Sequence, residues 1–188
     1  MKLRALIKLM LLWPLLVSAG PTGVPEPELR ARLAEAITAA GSFDDKYEAQ
    51  VWLLDYSDRL VRYLPDERQR IDFLRQVHAE AKRAQLDPEL VLSVIHIESR
   101  FDRHAISYAG AVGYMQIMPF WLIELGQKGE NLFKAETNLR MGCTILRFYI
   151  DKEKGDVFRA LARYNGSLGR REYPELVLGV LNGRYAPF

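Results

Sequence analysis

The chain has one cysteine, Cys143, and three histidines, His78, His96 and His104, among 188 residues. A lone thiol excludes a disulfide framework. The four residues show no metal-ligand spacing, so neither a metal nor an organic cofactor is expected. Cys143 lies in "NLRMGCTILRFYI", a helical pattern in which a small buried hydrophobe fits better than a nucleophile. Sustained apolar/polar alternation is also missing, which excludes a β-rich fold and leaves room only for a short hairpin around Tyr108 to Gln116. No internal repeat or low-complexity segment occurs, so a solenoid is excluded as well. The class is therefore all-α, or mostly helical.

The stretch "MKLRALIKLMLLWPLLVSAG" sets Lys2, Arg4 and Lys8 ahead of an apolar run from Leu9 to Val17, followed by Ser18, Ala19 and Gly20. That layout predicts a secretory signal peptide over residues 1–19, cleaved after Ala19. The apolar core is short and carries Pro14, which argues against a retained anchor. No cysteine stands at the cleavage site, so a lipoprotein anchor there is excluded. An exported, periplasmic protein is expected. Cleavage removes three positive charges and takes the formal net charge from +2 to −1. No basic surface then remains to argue for nucleic acid. The 49% hydrophobic and 27% charged fractions are those of an ordinary globular protein.

Beyond a proline-rich connector, "PTGVPEP", the pattern predicts a helix from Glu28 to about Ala40 and a second through Tyr47, Val51, Leu54, Leu60 and Leu64, ended by Pro65. A third runs from about Asp66 to Arg83, and "LDP" opens a fourth at Pro88. From Phe101 to Pro119 the texture turns rich in glycine and small residues, a long loop of the kind that carries function. Helices resume at "FWLIELG", Lys134–Lys154, Asp156–Tyr164 and Pro174–Leu181. Residues 20–85 thus form an N-terminal helical region before a domain over 86–188.

In "VLSVIHIESRFD" a carboxylate stands where an aliphatic side chain fits. At about 100° per residue, Glu98 falls in the apolar arc of Val91, Val94, Ile95 and Ile97, while Glu89, Ser93, His96 and Arg100 share the arc where a solvated glutamate belongs. A glutamate on the buried side is desolvated, which raises its pKa and lets it hold a proton near neutrality. A glutamate tied to an arginine, or a helix unwound before residue 98, remains the alternative at this point.

Four pieces in order carry a resemblance: "IESRFD", "AISYAGAVGYMQIMP", "NLRMGCTILRFYI" and "ALARYNGS". From about Asp87 to Tyr185 the chain resembles the catalytic domain of lytic transglycosylases of the soluble lytic transglycosylase (SLT) type, related in fold to goose-type lysozyme. The resemblance implies a lysozyme-like fold. It also implies non-hydrolytic cleavage of the β-1,4 bond between N-acetylmuramic acid and N-acetylglucosamine in peptidoglycan, leaving 1,6-anhydro ends. Glu98 would then be the single general acid and base. Most glycosidases need two carboxylates, and the only obvious second one, Asp102, reads better as a turn organiser.

By the same resemblance Ser107, Met115, Gln116, Met118, Tyr164 and Asn165 bind substrate. Gly110 and Gly113 serve the turn. Tyr108, Tyr114, Phe120 and Trp121 are candidates for sugar stacking, with core packing the better reading of Phe120 and Trp121. Three departures stand out: Tyr114 replaces the usual leucine, glycine and serine follow Asn165, and "LGRREYPELVLGVLNGRYAPF" goes quickly into a last helix, shortening the cleft. The expected partners are peptidoglycan glycan strands acted on by a monomer, with residues 20–85 as the place for an envelope or secretion-machinery partner. The rival readings are a hydrolase of the same bond and a catalytically weak glycan-binding or assembly protein.

Overall fold

Prolines and short polar breaks cut the chain into helices whose order is visible in the computed structural model. The structure describes Pro27 and residues 46–185. The signal peptide and the helix expected at 28–40 therefore lie outside the described residues. Among the described residues there are seven α-helices: α1 Lys46–Leu60, α2 Glu67–Arg83, α3 Pro88–Ser99, α4 Phe120–Glu124, α5 Ala135–Lys152, α6 Val157–Tyr164 and α7 Glu172–Val180. A π-turn, Leu181–Tyr185, continues α7. Among the described residues the only β structure is a pair of isolated antiparallel bridges, Ile106 to Val112 and Val112 to Ile117, in the place of the expected hairpin. No described helix is long and apolar enough to cross a membrane.

Helix α1 buries Trp52, Leu53, Tyr56 and Leu60, a spacing of one helix face. It stops at Leu60, four residues short of the expected end. Leu64 precedes a proline and is biased away from helix. Its carbonyl and that of Pro65 instead accept from Arg70 Nη1, at 2.8 and 3.2 Å. Helix α2 starts at an Asp66 cap that accepts from the Gln69 amide at 2.7 Å and turns Phe73, Leu74, Val77 and Ala81 inward. It is pinned to α5 through Glu80, whose carboxylate accepts from Arg83 Nε at 2.6 Å and Arg140 Nη2 at 2.8 Å.

Helix α3 is the centre of the fold and packs against α2, α7 and the π-turn. Residues 90–95 are all buried, on every side of the helix. The arc that the helical wheel leaves to solvent is covered as well. Ser93 is fully buried, Glu89 accepts from Trp52 Nε1 at 2.7 Å, and His96 lies between Tyr63 and Tyr185. This corrects the one-sided picture of α3, because a helix crossed by neighbours on all faces has no solvated side to predict.

One contiguous core runs from Trp52 to Tyr185. The helices at 46–83 share it with the rest, and Tyr56 Oη donates to the Tyr185 carbonyl at 2.8 Å. The last helix begins two residues earlier than expected, with Pro174 tolerated in the first turn.

Candidate active site

Glu98 sits in the last turn of α3, half-buried. The helix ends sharply because Arg100 and Phe101 both adopt left-handed conformations, with φ of 51° and 66°. The Arg100 amide donates to the His96 carbonyl at 3.2 Å. Two successive non-glycine residues at positive φ are costly and are held by their surroundings. Phe101 is 3% exposed, its ring packed against Tyr63, Phe73 and His96. The turn therefore keeps Glu98 helical and sends the chain away directly behind it.

The loop after this turn is fixed from beneath by one buried side chain. Asn138 of α5 accepts from the Met115 amide at 2.8 Å and donates to the carbonyls of Val112 and Leu132 at 2.8 and 2.9 Å. Gly113 has φ +79°, and a Cβ there would stand 2.4 Å from Asn138 Nδ2. Only glycine allows that approach. From α3, Ser99 Oγ donates to the Tyr114 carbonyl at 2.9 Å.

Two tyrosines complete the setting. Tyr173, at the start of α7 and 8% exposed, donates its hydroxyl to Glu98 Oε1 at 2.6 Å. Tyr164, at the end of α6, donates to the Met115 carbonyl at 2.8 Å. Burial, together with the charge of Glu98, holds both phenols well above their ordinary pKa, so both stay protonated. Burial also lifts Glu98 from 4.5 to about 7, opposed by the hydrogen bond from Tyr173. No guanidinium or ammonium pairs with Glu98 among the described residues. Two hollows, of about 220 and 340 Å³, lie elsewhere and do not include Glu98. The packed neighbours and titration of the carboxyl, rather than cavity size, mark the chemistry.

Of the residues expected at the site, Glu98, Tyr164 and the main chain of Met115 come together. The Met115 side chain does not line a cleft: it is fully buried and seats on Gly142, where a Cβ would meet its sulfur at 2.3 Å. Ser107 Oγ accepts from the Ala111 amide at 3.0 Å. The Gln116 amide donates to the Gly113 and Ala105 carbonyls, at 2.9 and 3.2 Å, so both polar side chains brace the loop. Met118 is half-buried beside the core, and Asn165 caps α6. Asp102 Oδ1 accepts from the His104 amide at 2.8 Å, the turn role expected for it. Tyr108 is 92% exposed, whereas Trp121 is buried. Burial drives the Cys143 thiol pKa upward, away from reactivity. Sequence reasoning misses Tyr173. It belongs to the segment read as a truncated cleft, and a tyrosine before a proline at a helix start carries no signal of its own.

Comparison with known proteins bears on this arrangement. A family model, the transglycosylase SLT domain, matches residues 75–174. The transglycosylase of Enterobacteria phage PRD1 is 32% identical over 113 residues, covering 56% of this chain and 42% of that protein. Membrane-bound lytic murein transglycosylase C of Histophilus somni is 31% identical over 127 residues, covering 59% of this chain and 32% of the relative. The chain thus spans less than half the length of either. A solved structure of lytic transglycosylase Slt from Pseudomonas aeruginosa, an inactive mutant, superposes with a TM-score of 0.52 at 22% identity, over 82% of this chain and 29% of that one. This last likeness shows the lysozyme-like helical fold. Because the family model spans more than half of its residues, the chain belongs to the transglycosylase SLT domain family.

Proposed function

We propose that the chain is a peptidoglycan lytic transglycosylase in which Glu98 alone moves the proton. The observation that carries this reading is a half-buried carboxyl lifted to about 7, held by a tyrosine hydroxyl and paired with no cation among the described residues. Such a group is protonated in a large share of molecules at neutral pH, as a general acid requires. Protonated Glu98 gives its proton to the glycosidic oxygen as the bond to the muramic anomeric carbon breaks. The carboxylate so formed, with Tyr173 still donating to it, then takes the proton of the muramic 6-hydroxyl as that oxygen closes on the anomeric carbon. The proton count returns to its start, and no water is consumed. Asp102, spent on the loop backbone, supplies no second carboxylate, so the cationic centre is left to the substrate's own acetamido group.

Ser107, Gln116, Met118, Tyr164 and Asn165 are the proposed substrate contacts, with Met115 contributing through its carbonyl. The relatives' names, lytic murein transglycosylases described as membrane-bound, support an envelope location. We place this chain in the periplasm as a monomer with residues 1–19 removed, and assign an envelope or secretion-machinery partner to the N-terminal region, residues 20–85. Purified sacculi digested with wild type and with Glu98→Gln test the reaction. Anhydro ends, about 18 Da lighter than hydrated ones because water is not the acceptor, are expected from wild type only. Reducing muramic ends would establish a hydrolase instead.

A further inference from the structure

The segment that carries Met115 toward Tyr164 also carries Tyr114 toward α2. Tyr114 is 3% exposed, and its ring lies 4.5 Å from that of Phe73 between centroids. Its hydroxyl has no hydrogen-bond partner among the described residues, yet it is not sealed within protein. Tyr114 lines a hollow of about 340 Å³ between the first half of α2, the loop and the start of α5. A phenylalanine would make the same contact with Phe73, so packing does not account for the oxygen.

Four charged side chains share this hollow: Asp66 and Asp72, Arg68 and Arg103. All are exposed, and none forms an ion pair with another. Asp66 has one oxygen on the Gln69 amide, and Arg103 donates one N–H to the Phe133 carbonyl at 3.2 Å. Asp72 and Arg68 make no hydrogen bond to any described residue. The hollow keeps two carboxylates and two guanidiniums apart around a hydroxyl and an aromatic floor. Their charges sum to zero. A polyanion meets the aspartates there and a polycation meets the arginines, whereas a group bearing both signs finds a partner for each.

We propose that this hollow binds an amino-acid head group carrying both an ammonium and a carboxylate, as presented by the peptide stems of peptidoglycan, an assignment that rests on the function proposed above. Arg68 and Arg103 take the carboxylate, Asp66 and Asp72 the ammonium, and the Tyr114 hydroxyl a remaining polar atom of the head group. The hollow shares no residue with Glu98, Tyr164 or Tyr173. It therefore selects which stretch of the polymer is held and takes no part in bond cleavage.

Calorimetric titration of the full chain with the tripeptide L-alanyl-γ-D-glutamyl-meso-diaminopimelate reads the hollow directly. Saturable binding is expected for wild type and for Glu98→Gln. It is expected to weaken about ten-fold in Asp72→Asn and in Arg68→Gln, the scale of one charge-assisted hydrogen bond. Tyr114→Phe is expected to weaken it about five-fold with its melting temperature unchanged. The same tripeptide with both amines acetylated and all three carboxylates amidated is expected not to bind, and binding as tight as that of the parent overturns the assignment. No saturable binding by wild type at millimolar tripeptide, or equal binding by Asp72→Asn and Arg68→Gln, overturns the assignment. In parallel, Asp72→Asn is expected to slow cleavage of intact sacculi and leave cleavage of stem-free glycan strands unchanged; equal slowing on both overturns it too. A wild type that binds the tripeptide but cleaves neither polymer removes the catalytic reading and leaves the ligand of the hollow standing.

Discussion

Replacing Glu98 with glutamine removes one titration while keeping the shape of the side chain and an oxygen to accept from Tyr173. In the folded chain burial lifts the carboxyl from 4.5 to about 7; in the unfolded chain it titrates at its ordinary value. Between those two pH values the folded state binds more protons than the unfolded one, so stability falls as pH rises through that window. The penalty is absent below about pH 4.5 and complete above about pH 7. A gap of about 2.5 in pKa, at about 1.36 kcal/mol per pH unit, makes about 3 kcal/mol, and the remaining exposure of Glu98 trims this toward about 2 kcal/mol. In a chain of this length each kcal/mol moves the melting temperature by about 2–4 °C. Glu98→Gln is therefore expected to melt roughly 4–12 °C above wild type at pH 8, with the difference shrinking to a small constant at pH 4. Thermal unfolding of the two proteins, followed by far-ultraviolet circular dichroism at five pH values from 4 to 8, measures it. An offset that does not change with pH, or a wild type that gains on the variant as pH rises, would refute the reasoning. The first result would mean that folding leaves the carboxyl at its ordinary pKa, the second that the protein prefers the anion, and in either case Glu98 would be ionised at neutral pH and unable to start the reaction proposed here.

Tyr173→Phe removes the hydrogen bond that opposes burial, so the Glu98 carboxyl rises further. The alkaline limb of the kcat/KM profile is expected to move up by about one pH unit while the maximum falls; a limb that stays put would leave Tyr173 a packing residue. Asn138→Ala orphans the Met115 amide and the Leu132 carbonyl, and takes from the Val112 carbonyl one of its two donors, leaving it the Ile117 amide at 3.0 Å. Urea unfolding is expected to show a loss of about 3 kcal/mol or more, and a loss under about 1 kcal/mol would show that the loop does not depend on it. Gly142→Ala drives a methyl to within 2.7 Å of the Met115 Cβ. It is expected to cost about 1–3 kcal/mol and to lower activity by displacing the carbonyl that Tyr164 holds. Unchanged stability would show that α5 and the loop are not in such close contact.

Helix placement was legible because its cues are local. Asp66, Pro88 and Asp156 mark starts, and the apolar spacing of α2 survives burial on one face. The ends were less so. The stop at Leu60 depends on Arg70, ten residues away, taking two carbonyls, and the π-turn depends on Tyr185 fitting under α1. Glu98 stood out because a charge on an apolar helix is a local contradiction. Its partner Tyr173, 75 residues later, stood out in no way, since a hydrogen bond between distant helices leaves no trace in composition or period. Met115 shows the same limit. Its type suits either a cleft or a core, and only the small residue at Gly142 decides between them.

The family model begins at residue 75, yet the residues from there onward do not hold the acid unaided. Helix α7 brings Tyr173 to Glu98 and continues into the π-turn, whose Tyr185 is fully buried. That turn is gripped from α1, where Tyr56 Oη reaches the Tyr185 carbonyl at 2.8 Å and Arg59 Nη1 the Arg184 carbonyl at 2.7 Å. From the other side, the Tyr185 hydroxyl meets His96 Nδ1 at 3.0 Å, on the same helix as Glu98 and two residues before it. Burial and the nearby Arg184 and Arg100 lower the His96 pKa, which keeps the ring neutral so that one of its nitrogens can accept. Helix α1 thus closes a loop of contacts that runs α1, π-turn, α7, Tyr173, Glu98, α3 and back through Tyr63 to the end of α1. Helix α1, which precedes the residues the family model matches, is in packing terms a wall of the same unit. Its burial against the C-terminal turn is what stops α7 from lifting and taking the hydrogen-bond donor off the acid.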